Sequence, residues 1–130
     1  LGPKVLLINE MSGSGGDFFP WVFRHQQIGP LIGMRTWGGL VKSSVHYPMV
    51  DGGTLTAPDN AVYDPVSKKW IAENEGIPPD IEIRQDALSL SKGLDPQLER
   101  AVMEALKLLE KQGEPDMTPP AFPKPAKTGM

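Results

Sequence analysis

No cysteine occurs among the 130 residues, which excludes a disulfide framework, a thiol nucleophile and thiolate metal sites. The same absence does not fix a compartment, because reduced cytosolic proteins and exported ones alike can lack cysteine; the cytoplasm is favoured and the periplasm stays open. Blocks of basic residues are missing too. With 13 Lys and Arg against 16 Asp and Glu, and a formal net charge of −3, the chain carries no electrostatic footprint for nucleic acid. No apolar run approaches the roughly 20 residues of a membrane-spanning helix. A Gly-Lys-Ser/Thr ending and a G-x-G-x-x-G frame are both absent, and Asp17 after the small-residue turn would repel phosphate, so a phosphate-binding loop is disfavoured. No cofactor and no metal site are expected.

What is present is turn-forming residues in number. Fourteen glycines and fourteen prolines favour short strands and structured loops over a helical bundle. The length fits one domain with a core that needs no staple. The chain begins at Leu1 without an initiator methionine and reaches a core-like strand within a few residues, as though cut from something longer.

The stretch Lys4 to Phe23 organises the rest. An apolar strand, Val5 to Ile8, runs into Ser12-Gly13-Ser14-Gly15-Gly16, then into an acidic residue and an aromatic-rich segment. Asp17 to Gln27 reads as a helix with an apolar face of Phe18, Val22 and Phe23, and with Pro20 near its first turn. Leu31 and Ile32 start a short strand, Gly38-Gly39 make a turn, and Leu40 to Ser44 and Val45 to Val50 read as further short strands. A turn, a brief strand and a loop fill Asp51 to Tyr63. Asp64-Pro65 opens a turn that Lys68 and Lys69 close, after which Trp70 to Glu73 reads as a strand and Asp80 to Ile83 as an edge strand. The clearest helix is the last: Asp95 as N-cap, Pro96 at the first position, Leu98, Val102, Ala105 and Leu109 at helical spacing, joined by Ala101 and Leu108, and Gly113 as the stop. Two units result, 1–113 as the folded part and 114–130 as a Pro-rich extended or disordered tail.

Three groups carry candidate chemistry. A serine lifted on a turn at the start of a helix sits near unpaired N–H groups and the positive end of the helix dipole, which makes Ser14 a candidate nucleophile. By composition alone S-G-S-G-G also reads as a flexible loop, and the turn departs from G-x-S-x-G by having Ser12 at the first glycine. On the residues alone both readings stay open. A hydroxyl needs a base, yet His25 lies about three helical turns away, at least roughly 15 Å along the axis, and His46 reads as an ordinary strand histidine. Glu73 and Glu75, on one face by strand alternation, could orient a hydrogen-bond network or be solvated carboxylates. Gly13, Arg35 and Trp37, with Gly38-Gly39, are candidates to line a substrate cleft, and the segment from Arg35 to Gly39 reads equally as a buried aromatic with a turn.

The motifs V-L-L-I-N-E-M-S-G-S-G-G-D, L-I-G-M-R-T-W-G-G, D-G-G-T-L-T-A-P and E-N-E-G-I-P-P-D-I-E-I occur in this order. Together they resemble the C-terminal part of the catalytic domain of tricorn-type peptidases, within the C-terminal-processing serine peptidase family. The resemblance runs from Lys4 to Arg84. It implies an α/β fold of the crotonase/ClpP-like β-α superhelix type, of which this chain would be the C-terminal half of the peptidase catalytic domain. It also implies that Ser14 is the nucleophile, that the Gly15 amide is an oxyanion-hole donor, and that Glu73 completes a Ser-His-Ser-Glu tetrad by acting through a second serine on the histidine. In the family that histidine and serine lie upstream of the nucleophile strand, and only Leu1 to Lys4 precede it here. The implied partners are a peptide or unfolded protein segment as substrate, the missing N-terminal half of the catalytic domain, and further copies in a homo-oligomer. The rival reading is a non-catalytic interaction module, or inactive fragment, that keeps the fold.

The missing base gives an expectation: the isolated 130 residues are inactive. Hydrolysis of an activated ester by the purified chain, lost on Ser14→Ala, would contradict it and bring His46 back as a base.

Overall fold

A computed structural model describes residues 2–114 and 116–123. The architecture is mixed α/β. Strand β1 (Leu6–Ile8), helix α1 (Gly15–His25) and strand β2 (Leu31–Gly33) form a βαβ unit, and β7 (Ile81–Glu82) adds to β2, giving a parallel sheet in the order β1-β2-β7. Two antiparallel hairpins interrupt it, β3 (His46–Pro48) with β4 (Thr54–Thr56), and β5 (Tyr63–Asp64) with β6 (Lys69–Trp70). Two helices follow, α2 (Ala87–Ser91) and α3 (Pro96–Gln112).

The central strand is apolar because both of its faces are covered. Leu31 and Ile32 are fully buried. Leu31 joins a cluster with Ile8, Phe23, Leu40, Ile71, Ala72 and Ile77, against which Leu6, Trp21 and Val62 pack. Ile32 points to the opposite face, and α3 packs on β1 and β2. The edge strand is tied in by Asp80, which accepts from the Leu31 amide at 2.7 Å and from Arg24 at 2.8 Å. Gly33 has φ +126°, and a Cβ there would lie 2.0 Å from the Ile8 carbonyl oxygen, so only glycine lets β1 and β2 end this close together.

Several expectations change. Helix α1 starts at Gly15, so Pro20 lies in its interior and not its first turn; it is buried there, and its missing N–H removes one bond to the carbonyl of Gly16. Leu40 to Ser44 forms no strand beyond a single bridge between Lys42 and Asn60, because the Leu40 and Val41 amides are taken by a side chain. The strand expected over Trp70 to Glu73 stops at Trp70. Ala72 and Asn74 both have φ 60°, and the Glu75 and Gly76 amides close a turn onto the Ala72 carbonyl, so Glu73 and Glu75 do not share a strand face. Helix α2 was not expected; Asp86 caps it, accepting from the Ser89 amide and hydroxyl.

Helix α3 has the caps and ends read from the sequence, with Asp95 accepting from the Leu98 amide at 2.9 Å and Gly113 following its last turn. Its rotation differs. Gln97 and Ala101 face the sheet, with Gln97 Nε2 donating to the Ile83 carbonyl, and Leu98, Val102 and Leu109 are about half exposed. In the tail, residues 116–123 form neither helix nor strand; Pro115 and residues 124–130 lie outside the described residues.

The β5-β6 turn carries a titratable lock. The Asp64 carboxylate accepts from the Ser67 hydroxyl at 2.6 Å and from the Val66 amide at 2.9 Å, and these bonds, the Ser67 hydroxyl foremost, hold its pKa below the usual aspartate value. A depressed folded pKa means the turn adds stability above about pH 4, the unfolded value, and loses it as pH falls through the folded one. A carboxyl ¹³C titration should give Asp64 a midpoint below about 3.9. A midpoint above that value would contradict the lock.

Candidate active site

The site is built on the turn between β1 and α1. Asn9 starts it: its side-chain oxygen accepts from the Met11 amide at 3.0 Å, and the Ser12 amide donates back to the Asn9 carbonyl at 3.0 Å. The chain then reaches Ser14, the N-cap of α1, with φ 53° and ψ −109°. A non-glycine residue in such a region costs about 1–3 kcal/mol and persists only where its surroundings hold it. Two acceptors hold the Ser14 amide, Asp17 Oδ2 at 2.9 Å and the Gly39 carbonyl at 3.1 Å. Ser14 and Gly15 are both exposed. Gly15 is the first residue of α1, so its N–H has no partner within the helix and lies at the positive end of the dipole.

The wall beside this elbow is the segment 37–41. The Trp37 amide donates to the Ser12 carbonyl at 2.8 Å. The indole lies so close to the turn that a Cβ on Gly13 would come within 2.6 Å of the ring, and one on Gly39 within 2.4 Å. Glycine at both positions is what lets the ring sit there.

Two carboxylates fix the backbone of that wall. Asp17, with no exposed surface, accepts from Gly38 N through Oδ1 at 2.8 Å and from Gly39 N through Oδ2 at 3.0 Å, in addition to Ser14 N. Glu73 Oε2 accepts from Leu40 N at 2.7 Å and Val41 N at 2.8 Å. Four consecutive amides therefore donate to two acids. Glu73, Asn74, Trp37, Gly38, Gly39 and Val41 line a cleft of about 400 Å³, and the Asn74 amide closes its back by donating to the Gly38 carbonyl at 2.8 Å.

Of the residues singled out from the sequence, Ser14, Gly15, Gly13, Trp37 and Glu73 gather around this segment. Arg35 does not line the cleft. Its guanidinium donates to the Glu75 carbonyl at 3.1 Å and braces the turn that carries Glu73. His25, the last residue of α1, stacks on Trp21 with ring centroids 4.8 Å apart, and His46 Nδ1 lies 2.8 Å from Thr56 Oγ1 on the exposed hairpin; neither hydrogen-bonds to Ser14. Among the described residues no group of three His, Asp or Glu is arranged to hold a metal ion. The residue missed from the sequence is Asp17. Its signal was there, because Ser14-Gly15-Gly16-Asp17 ahead of an apolar run is the S-x-x-D pattern of a capping box.

Residues 1–83 match the profile of Peptidase family S41. The chain is 40% identical over 122 residues to Tricorn protease homolog 1 of Streptomyces coelicolor, covering 94% of this chain and 11% of that protein. It is also 40% identical over 110 residues to the Tricorn protease of Thermoplasma volcanium, covering 85% of this chain and 11% of that protein. The crystal structure of the tricorn protease superposes with a TM-score of 0.76 at 34% identity, over 84% of this chain and 11% of that one. The chain thus spans about a tenth of the length of the relatives it matches.

Proposed function

This chain belongs to peptidase family S41, and from that membership we propose that it is the nucleophile-bearing part of a serine peptidase acting on peptides or unfolded protein segments. In this reading residues 1–113 are the C-terminal half of a catalytic domain of the crotonase/ClpP-like superhelix type, 114–130 are a tail, and the parent protein is a homo-oligomer. The observation that carries the reading is the elbow: an exposed serine in a strained conformation at the N-cap of α1, next to the open N–H of Gly15.

The chemistry follows from that placement. Ser14 Oγ attacks the carbonyl carbon of the scissile peptide as its proton passes to a histidine on a segment outside this chain. Negative charge then gathers on the carbonyl oxygen, where the Gly15 N–H stabilises it; one such donor is worth on the order of 10²–10³ in rate. The protonated histidine gives its proton to the leaving amine, and water releases the acyl group by the reverse sequence. Glu73 is the acid of a Ser-His-Ser-Glu tetrad. Its Oε2 is anchored by the Leu40 and Val41 amides, and its Oε1 accepts no hydrogen bond among the described residues, which leaves that oxygen for the second serine.

Labelling of the full-length protein by a fluorophosphonate tests the reading. Ser14→Ala should abolish labelling. Glu73→Gln retains one amide acceptor and should slow labelling by about 10²-fold or more, as expected for loss of acid–base support. Labelling that survives Ser14→Ala would remove the nucleophile assignment, and a wild-type rate in Glu73→Gln would remove Glu73 from the tetrad.

A further inference from the structure

We propose that Asp17 is a positioning residue of the peptidase site: its carboxylate fixes the Ser14 elbow to the Gly38-Gly39 wall of the cleft, and so sets where the nucleophile and the oxyanion donor point. The proposal rests on the reading of Ser14 as nucleophile.

Helix capping accounts for only part of what Asp17 does. As the third residue of α1 it returns one bond to the amide of the N-cap, Ser14, at 2.9 Å. A surface aspartate would serve that purpose equally well. Asp17 has no exposed surface, and it takes two more amides, Gly38 at 2.8 Å and Gly39 at 3.0 Å, from a segment more than twenty positions along the chain. No lysine or arginine pairs with it among the described residues. Among the described residues its hydrogen-bond donors are three backbone N–H groups, two of which belong to the wall.

The effect on the reacting groups is specific. Oδ2 bridges the Ser14 and Gly39 amides, and the Ser14 amide also donates to the Gly39 carbonyl at 3.1 Å, closing a small ring between elbow and wall. With its amide held by two acceptors, Ser14 cannot offer it to a substrate oxygen. The next amide along, Gly15, is the one left open. Asp17 therefore selects which N–H faces the developing oxyanion. It also holds φ of Ser14 at 53°, against the tendency of a non-glycine residue to relax.

Asparagine is not a conservative replacement here, because its NH₂ would face an amide donor where a carboxylate oxygen accepts. The test uses the full-length protein with Asp17→Asn, beside Ser14→Ala, at a temperature where circular dichroism shows both fully folded. Asp17→Asn should lower kcat for a peptide substrate by about 10²-fold, the cost of a small misplacement of the reacting atoms, with KM held within about threefold. The fluorophosphonate labelling rate should fall in parallel. Wild-type kcat in folded Asp17→Asn, with Ser14→Ala inactive, overturns the positioning role alone. A raised KM at unchanged kcat overturns it as well. Activity retained by Ser14→Ala overturns the nucleophile reading, and the positioning role with it. If Asp17→Asn does not fold, wild-type protein supplies the test: phosphonylation of Ser14 should shift the Gly38 and Gly39 amide resonances and leave the remote Gly93 amide unmoved. Unmoved Gly38 and Gly39 resonances overturn the proposal.

Discussion

A single buried carboxylate, that of Asp17, holds the first turn of α1 to a loop more than twenty residues downstream. Taking a carboxylate out of water costs several kcal/mol. Each hydrogen bond to a charged acceptor returns about 1.5–3 kcal/mol, so three of them offset a cost of that size only together. The amides of Ser14, Gly38 and Gly39 are the three. The same carboxylate thus holds the amide of Ser14, whose φ is 53°, and two amides of the segment over which Trp37 approaches Gly13 and Gly39.

Glu73 repeats the device one step along. It takes the Leu40 and Val41 amides, and the turn that carries it is braced by Arg35 on the Glu75 carbonyl and by the Asn74 amide on the Gly38 carbonyl. The backbone of the wall between the two acids is therefore paired with carboxylate side chains where a sheet neighbour would otherwise be. This explains how a cleft forms in a loop-rich part of the chain. It also joins the proposed nucleophile to the proposed tetrad acid through four consecutive residues.

The sequence made the βαβ core legible because its signals are local. Val5 to Ile8, the small-residue turn, and Leu31-Ile32 after Gly29-Pro30 all announce themselves, as do the Asp95 cap, Pro96 and the Gly113 stop of α3. Ser14, Gly15 and Glu73 stood out in the sequence by residue type and spacing, and the structure gathers them around one segment together with the glycines that make room for Trp37. What stayed hidden depends on partners distant in the chain. Leu40 to Ser44 has the pattern of a strand, but its Leu40 and Val41 amides go to the Glu73 carboxylate and its Ser44 amide to that of Asp59. Trp70 to Glu73 reads as extended, yet Ala72 and Asn74 turn left-handed to bring that carboxylate around. The apolar stripe of α3 has helical spacing without saying which side meets the sheet, and of its members the sheet buries Ala101, with polar Gln97 beside it, while Leu98, Val102 and Leu109 stay about half exposed. Asp17 looked like a helix-start acid, which it is, and no local pattern reveals two further donors from Gly38 and Gly39.

The most direct measurement is native-state amide hydrogen exchange at Ser14, Gly38 and Gly39 in the wild-type protein. None of the three lies within a strand or helix, so ordinary loop behaviour would leave them exchanging fast. If the Asp17 carboxylate holds elbow and wall as one unit, they will exchange as slowly as the Leu31 and Ile32 amides of the central strand. Exchange at the rate of the exposed β3-β4 hairpin would contradict the account.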